Sequence, residues 1–313
     1  MFYQSIKYSK QSAHQLLDKQ MKEYEIKGYL SKLLSEIRSD HPTLSCRAMY
    51  YKLKPQGIGR DKFEQFCFES GFMLEHRAKL FRTTNSFGVI RFENLLENIV
   101  LTNINQAYSS DITYFEINGT FYFITFIIDC YSRRILGYIA SKELTTEQTT
   151  LLALQMAIKT RNNNIPKGII FHSDGGGQYY DKEFIKLTSK YGFINSMCEM
   201  AYQNGKAERI NGTIKNNYLN YYKIENFEDL VKMLDRAVSL YNNDRPHKSL
   251  NYKTPVMFEK ELLSLQQQNK SKMIESFDEK KQILWGIEPQ KSEQNKSQIP
   301  DIFYEKKLGD KRY

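Results

Sequence analysis

The chain has 313 residues, enough for two or three domains with a stable core. It carries 45 basic and 36 acidic residues, a formal net charge of +9, with 22 tyrosines and 19 phenylalanines. This composition suits a nucleic-acid partner, although many unrelated proteins share it. No apolar run approaches the ~18 residues of a membrane span, and no signal-peptide stretch opens the chain, so we expect a soluble, intracellular protein without a membrane partner.

The cysteine pattern argues against a disulfide framework. The four cysteines are widely scattered, with no CxxC pair, at Cys46, Cys67, Cys130 and Cys198. His41 and His76 lie in the same region as the first two, but their spacing matches no common zinc pattern. We therefore expect reduced, mostly buried thiols.

The N-terminal third predicts helices at residues 14–39, 45–53 and 60–70. The two short helices flank a Gly-containing turn, which suggests helix-turn-helix geometry but also fits any small helical bundle. Candidate phosphate or base contacts there are Arg47, Arg60 and Lys62. We assign residues 1–82 to a helical DNA-binding region and residues 83–104 to a linker.

Residues 105–259 alternate strand and helix patterns. Strands are predicted at 107–116, 119–129, 133–140, Ile169–Phe171 and Phe193–Met197. The run Phe121–Ile128 is almost continuously apolar, which is typical of a buried central strand. Helices should begin at a capping box in 145–148, at Asp181 and at Asn226.

Three acidic residues fall where they can converge. Asp111 lies in a predicted strand, Asp174 follows a strand, and Glu208 opens a predicted helix. Most of the acidic residues must be solvated surface charges, so each alone is a weak signal. The run Gly175–Gly177 after Asp174 removes side chains where a ligand or backbone could approach. Magnesium prefers such oxygen ligands, and two ions about 4 Å apart promote phosphoryl transfer.

The Glu208 helix has two distinct stripes. Its apolar stripe comprises Ala207, Ile210, Ile214, Tyr218 and Tyr221. Glu208, Asn211 and Lys215 form the neighbouring stripe, and would present a carboxylate, an amide and an ammonium at one edge. A solvent-exposed Glu–Lys face is the alternative.

The dispersed motifs SSDITYF, FITFIIDCYSRRILGY, HSDGGGQYY, NGKAERINGTIK and YNNDRPHKSLNYKTP occur in one order across the chain. They resemble the integrase core of the insertion sequence three family of transposases (OrfB type), relatives of retroviral integrases. The resemblance implies an α/β, ribonuclease-H-like core, a mixed five-stranded sheet flanked by helices. By position, Asp111, Asp174 and Glu208 match the DDE triad.

The same resemblance extends to partners and cofactors. Lys215 matches a basic residue that contacts DNA, and we add Asn211 and Arg209 on the same helix. The phrase IRSDHPTLSCRAMYYKL resembles the helix-turn-helix region that precedes this core. The triad would bind two Mg²⁺ ions, with Mn²⁺ as a substitute. Expected partners are the terminal inverted repeats, target DNA, further copies of the chain and an upstream OrfA-type protein, in the bacterial cytoplasm.

Several features depart from the family pattern. The stretch between Asp174 and Glu208 is slightly short, Tyr108 stands where the family usually has Trp, and Asn204-Gly205 replaces an Asp–Asn pair. Residues 260–313 lose periodicity and predict a polar, flexible tail. The expected function is metal-dependent DNA strand cleavage and strand transfer. The alternatives are an inactive DNA-binding derivative and a ribonuclease-H-like nuclease that acts on RNA–DNA hybrids.

Overall fold

The computed structural model of the chain describes residues 9–74, 91–97, 99–198 and 204–284, with side chains as far as residue 269. The chain divides into two compact units, Met1–Leu262 and Leu263–Tyr313. The N-terminal helices and the sheet share the first unit. None of the helices in the described ranges is long and apolar enough to cross a bilayer.

Three helices open the described chain: α1 (Lys10–Asp40), α2 (Cys46–Leu53) and α3 (Arg60–Glu69). The side chain of Ser9 accepts from the Ser12 amide, so α1 begins earlier than predicted. Ser45 caps α2 in the same way, through the Ala48 amide. The three predicted helices are confirmed, and they bury a small core of their own that includes Leu34, Met49 and Phe63.

The core is built on a five-stranded sheet. Its strands are β1 (Ala107–Ile117), β2 (Thr120–Asp129), β3 (Ile135–Ser141), β4 (Ile170–Ser173) and β5 (Ile194–Met197). The strand order is β3-β2-β1-β4-β5, with β1 to β3 antiparallel and with β4 and β5 parallel to β1. The predicted mixed sheet is confirmed. β3 begins later than predicted because Arg133 occupies the turn with a left-handed φ of 64°.

Helices cover both faces of the sheet. They are α4 (Thr150–Thr160), α5 (Lys182–Lys190), α6 (Gly205–Asn217) and α7 (Phe227–Asn243). The first two pack with Phe171 on one face, and the last two pack with Phe126 on the other. Asp181 and Asn226 cap α5 and α7 as predicted.

The predicted capping box before α4 is wrong. Thr145 accepts a bond from the Gln148 amide at 3.3 Å, which is half of that motif. The Gln148 side chain donates to Glu143 and does not return to Thr145, so the reciprocal bond is replaced. The helix begins only at Thr150.

The C-terminal tail also differs from its prediction. Helix α8 runs from Pro255 to Leu284, so residues 260–284 are helical. Lys, Glu and Gln dominate this stretch, and all three favour helix even where no apolar stripe is present. Residues 285–313 lie outside the described part of the chain.

A buried ion cluster joins the start of α8 to the core. Glu259 accepts bonds from both terminal nitrogens of Arg161 at 2.7 Å and from Arg134 at 2.6 Å. Ser132 also donates to Glu259, and Arg161 reaches Asp129 at 3.3 Å. Burial opposes the charge of Glu259, but the bonds from Arg161, Ser132 and Arg134 hold its pKa below the usual value.

The N-terminal helices are fixed to the core through His41, which is fully buried. Its Nδ1 lies 2.8 Å from the Tyr218 hydroxyl and its Nε2 lies 2.7 Å from Asp244. Burial lowers the pKa of His41, so the neutral ring accepts from Tyr218 and donates to Asp244. Lys52 of α2 pairs with the same carboxylate, so Asp244 joins the two regions.

We expect Gly137→Ala to destabilise the protein strongly. A Cβ at residue 137 of β3 would lie 2.0 Å from the Ala153 carbonyl oxygen and 2.9 Å from the Ala157 amide nitrogen, both in the backbone of α4. Such a clash can be relieved only by separating helix and sheet, so the loss should exceed about 3 kcal/mol. Urea unfolding at constant m-value measures it.

The matched control is Gly28→Ala in α1, where nothing lies within 4 Å of the added Cβ. It should be neutral, or stabilising by up to about 1 kcal/mol. Similar midpoints for both variants would show that α4 does not pack closely on β3.

Candidate active site

The sheet brings two of the three predicted carboxylates together. Asp111 lies in β1, and Ser109 of β1 pairs with His172 of β4. Continuing that parallel register by two residues places Asp174, just after β4, beside Asp111. Both side chains lie on the sheet face that α6 covers. Strand β1 and the end of its neighbour β4 therefore supply two acids to one point.

Asp111 is held by two hydrogen bonds. The Ile112 amide donates to its Oδ1 at 3.0 Å, and Nδ2 of Asn211 donates to its Oδ2 at 2.7 Å. Burial and then the charges of Asp174 and Glu208 raise the pKa of Asp111 to about 7. Asp174 and Glu208 are therefore each close enough to Asp111 to oppose its negative charge.

The glycine turn after β4 serves Asp174 directly. The Gly176 amide donates to Oδ1 of Asp174 at 3.1 Å. A Cβ on Gly176 would lie 3.0 Å from that same oxygen, so a side chain there would crowd the carboxylate. Burial raises the pKa of Asp174. Glycine is therefore favoured at residue 176 for a local reason, because it leaves room in the turn for the Asp174 carboxylate.

Helix α6 brings Glu208 to the edge of this pair. Ala207, Ile210 and Ile214 are buried as predicted, while Tyr221 is partly exposed because the helix ends at Asn217. Glu208 is exposed, and partial burial raises its pKa. In the described ranges, no three His, Cys, Asp or Glu side chains are already close enough to hold a metal ion.

The two other polar residues of the α6 stripe contact β1. Asn211 bonds to Asp111, and its Oδ1 is buried with no hydrogen-bond partner among the described residues. Lys215 donates to the Tyr114 carbonyl at 2.6 Å and lies 4.8 Å from the centre of the Tyr114 ring. Both were predicted to contact DNA, and the structure gives each a partner within the chain.

A cleft of about 1010 Å³ opens beside the carboxylates, between α2 and the core. Arg209 and Arg47 line it, and Arg47 pairs with Glu64 at 2.7 Å. Arg60 pairs instead with Asp61, and Lys62 is exposed on α3, so neither residue reaches the cleft. The predicted basic residues thus lie on two different surfaces.

Four other cations line this cleft: Arg133, Lys206, Arg245 and Lys248. Sequence reasoning did not single out the first two, and it left open whether Arg245 and Lys248 pair with phosphates or hold their loop in place. The four cations come from the turn between β2 and β3, the start of α6 and the segment after α7. Their positions in the motifs DCYSRR, NGKAER and NDRPHK were visible, but only the folded chain brings them together.

The residues that depart from the family pattern have hydrogen-bond partners nearby. Tyr108 is buried, donates to Asn105 at 2.7 Å and packs against Phe193. The Asn204 side chain bonds to Ser109, and its Nδ2 donates to the Ser110 carbonyl at 2.8 Å. These substitutions therefore stabilise the start of β1 and its junction with α6. The four cysteines are free and buried, as predicted.

The sheet order, with acids within β1, just after β4 and on α6, defines the class. It is that of the ribonuclease-H-like polynucleotidyl transferases, enzymes that transfer phosphoryl groups between nucleic-acid strands. Two models described as Integrase core domain match residues 102–202 and 194–255.

Proteins of similar sequence support this assignment to a class. The chain is 29% identical to the Insertion element IS600 uncharacterized 31 kDa protein of Shigella sonnei, over 69% of this chain and 81% of that protein. It is 26% identical to the Transposase for insertion sequence element IS629 of the same organism, over 78% of this chain and 83% of that protein. It is 27% identical to Transposase InsF for insertion sequence IS3A of Escherichia coli K12, over 53% of this chain and 52% of that protein. The chain is therefore similar in sequence to transposases of insertion sequences, and its residues 102–255 match an integrase core domain.

Proposed function

We propose that Asp111, Asp174 and Glu208 are the catalytic carboxylates of this transposase and bind two Mg²⁺ ions, for which Mn²⁺ would substitute. The observation that carries the proposal is Asp111, whose pKa is raised to about 7 by burial and by two acidic neighbours. Such a cluster is unfavourable unless cations neutralise it. Every donor is a carboxylate oxygen, which suits Mg²⁺.

When bound, the ions would supply activation of a water or 3′-hydroxyl nucleophile and stabilisation of the leaving 3′-oxygen. The chain's own residues position the acids for this reaction. Asn211 fixes one oxygen of Asp111, and the Gly176 amide fixes one oxygen of Asp174. Glu208 stays exposed at the open edge, where it can move to meet a ligand.

The same proposal assigns partners to the surfaces. Residues 105–259 form the catalytic core, and the helices of residues 1–82 contact DNA through Arg47, Arg60 and Lys62. The substrates are the terminal inverted repeats of the element and a target duplex, held by a homo-multimer. An upstream OrfA-type protein is a further proposed partner. Support comes from the two short helices α2 and α3, which are joined by a turn as in helix-turn-helix domains.

The test is cleavage of a labelled duplex that ends in the terminal repeat read from the DNA flanking the gene. We expect cleavage and strand transfer that require Mg²⁺ or Mn²⁺. Cleavage of an RNA–DNA hybrid in preference to this duplex would favour the ribonuclease alternative. DNA binding without cleavage in either metal would favour a non-enzymatic derivative.

We expect Lys215→Ala to weaken binding of the element end and to lower the salt slope of binding by about one unit, as for loss of one phosphate contact. For this, Lys215 must exchange its bonds to β1 for a phosphate. A salt titration measures the slope, with the exposed Lys186→Ala as control. An unchanged slope would show that Lys215 only supports Tyr114.

A further inference from the structure

The cleft between the N-terminal helices and the core has a strongly basic lining. Among the described residues that line it, six are cationic: Arg47, Arg133, Lys206, Arg209, Arg245 and Lys248. The one carboxylate in this lining, Glu64, is already paired with Arg47. A cleft with such an excess of one charge attracts a polyanion.

We propose that this basic cleft binds an unpaired DNA strand leading away from the phosphate that is cut. The inference deepens the proposed function and rests on it, because it takes the reacting phosphate to lie at Asp111 and Asp174.

The position of the cleft supports this path. Ser109 and His172 line the cleft. Ser109 lies two residues before Asp111 in β1, and His172 lies two residues before Asp174, which directly follows β4. Residues two apart in a strand share a face and lie about 7 Å from each other. The cleft therefore begins on the same sheet face, directly next to Asp111 and Asp174. A strand held at the carboxylates can continue into it without turning.

The hydrogen-bonding groups of the cleft fit phosphate. Arg133, Lys206 and Lys248 form no ion pair within the part of the chain that the structure describes. Nη1 of Arg245 is buried and has no hydrogen-bond partner there. A buried guanidinium donor without an acceptor is costly, and a phosphate oxygen would satisfy it.

Two further features of the cleft favour an anionic ligand. The start of α6 lines the cleft, and no side chain of the described residues caps its first amides, which leaves them able to donate to an anion. Arg133 has a left-handed backbone conformation, which is unfavourable for residues other than glycine. That conformation places an arginine, where glycine would be easier to accommodate, on the wall of the cleft.

The size of the cleft favours one strand over two. The cleft has a volume of about 1010 Å³, and a DNA duplex is wider than its own major groove of ~12 Å. An extended single strand fits this space better than a duplex does. Single-strand sites commonly combine a basic groove of this kind with a short run of nucleotides.

The test uses the full chain with the double variant Lys206→Gln/Lys248→Gln. The probes are a fluorescein-labelled blunt duplex and the same duplex with an unpaired extension of about six nucleotides. Binding is measured by anisotropy in EDTA over a range of salt concentrations. The matched control is Lys186→Gln/Lys232→Gln, which removes two exposed charges outside the cleft. Unchanged thermal unfolding checks that both variants fold.

On the extended DNA, we expect the cleft variant to lose about tenfold in affinity and about 1.4 units of salt slope, as for two single-strand contacts. On blunt duplex, the loss should be less than about twofold, as for the control variant on either probe. An equal loss on both probes would overturn the single-strand assignment, and no loss on either would overturn the cleft as a DNA site. Because binding in EDTA needs no metal ligand, these outcomes are independent of whether the carboxylates catalyse cleavage.

Discussion

Asp174→Asn and Glu208→Gln should each reduce cleavage of a terminal-repeat duplex by at least about a thousandfold, which corresponds to about 4 kcal/mol in the barrier. Each change keeps the shape of the side chain and removes a negative charge. Metal binding depends on that charge, whereas the fold depends on the shape. Asp174 keeps its bond from the Gly176 amide through the remaining amide oxygen. DNA binding in EDTA should therefore stay within about twofold of wild type.

The matched control is Glu183→Gln, an exposed acid on α5 whose only described ion pair is with Lys186. It changes the net charge by the same amount and should leave cleavage unaltered. The measurement is single-turnover cleavage in Mg²⁺ with enzyme in excess, so that binding does not limit the rate. Cleavage by either site variant within tenfold of wild type would contradict the carboxylate assignment.

The largest loss of stability from removing one charge should come from Glu259→Gln. Glu259 has 4% of its side chain exposed and accepts from Arg161, which has 9% exposed, and from Arg134. Without the carboxylate charge, the one negative charge left beside the buried guanidinium of Arg161 among the described residues is that of Asp129, at 3.3 Å. Removing one partner of a buried ion pair costs about 3–5 kcal/mol, because the other charge remains desolvated.

The control for this prediction is Glu261→Gln, two residues further along α8. Glu261 pairs with Lys253 near the surface, where an ion pair contributes less than about 1 kcal/mol. Urea unfolding of both variants, compared at equal m-values, gives the difference directly. If Glu259→Gln lost no more stability than Glu261→Gln, the cluster would not hold α8 to the sheet.

Local structure was largely predictable from the sequence because its signals are local. The strand β2 was visible as an apolar run, α5 and α7 as Asp181 and Asn226 before helical patterns, and the α6 core stripe as Ile210 and Ile214. Each signal involves residues within a few positions of one another. Failures occurred where a local pattern had a better competing partner, as at Gln148, which bonds to Glu143.

By itself, the sequence determined the element types, their order and the placement of three acids on a strand, a strand end and a helix. Tertiary structure alone decided which residues meet. It joined Asn211 to Asp111, His41 to Asp244 and Arg134 to Glu259, pairs separated by 100, 203 and 125 positions. It also gathered the cations of the cleft from four separate segments. The physical reason is that periodicity and capping report the energy of one segment, whereas these contacts depend on how packed segments fill space around a shared core.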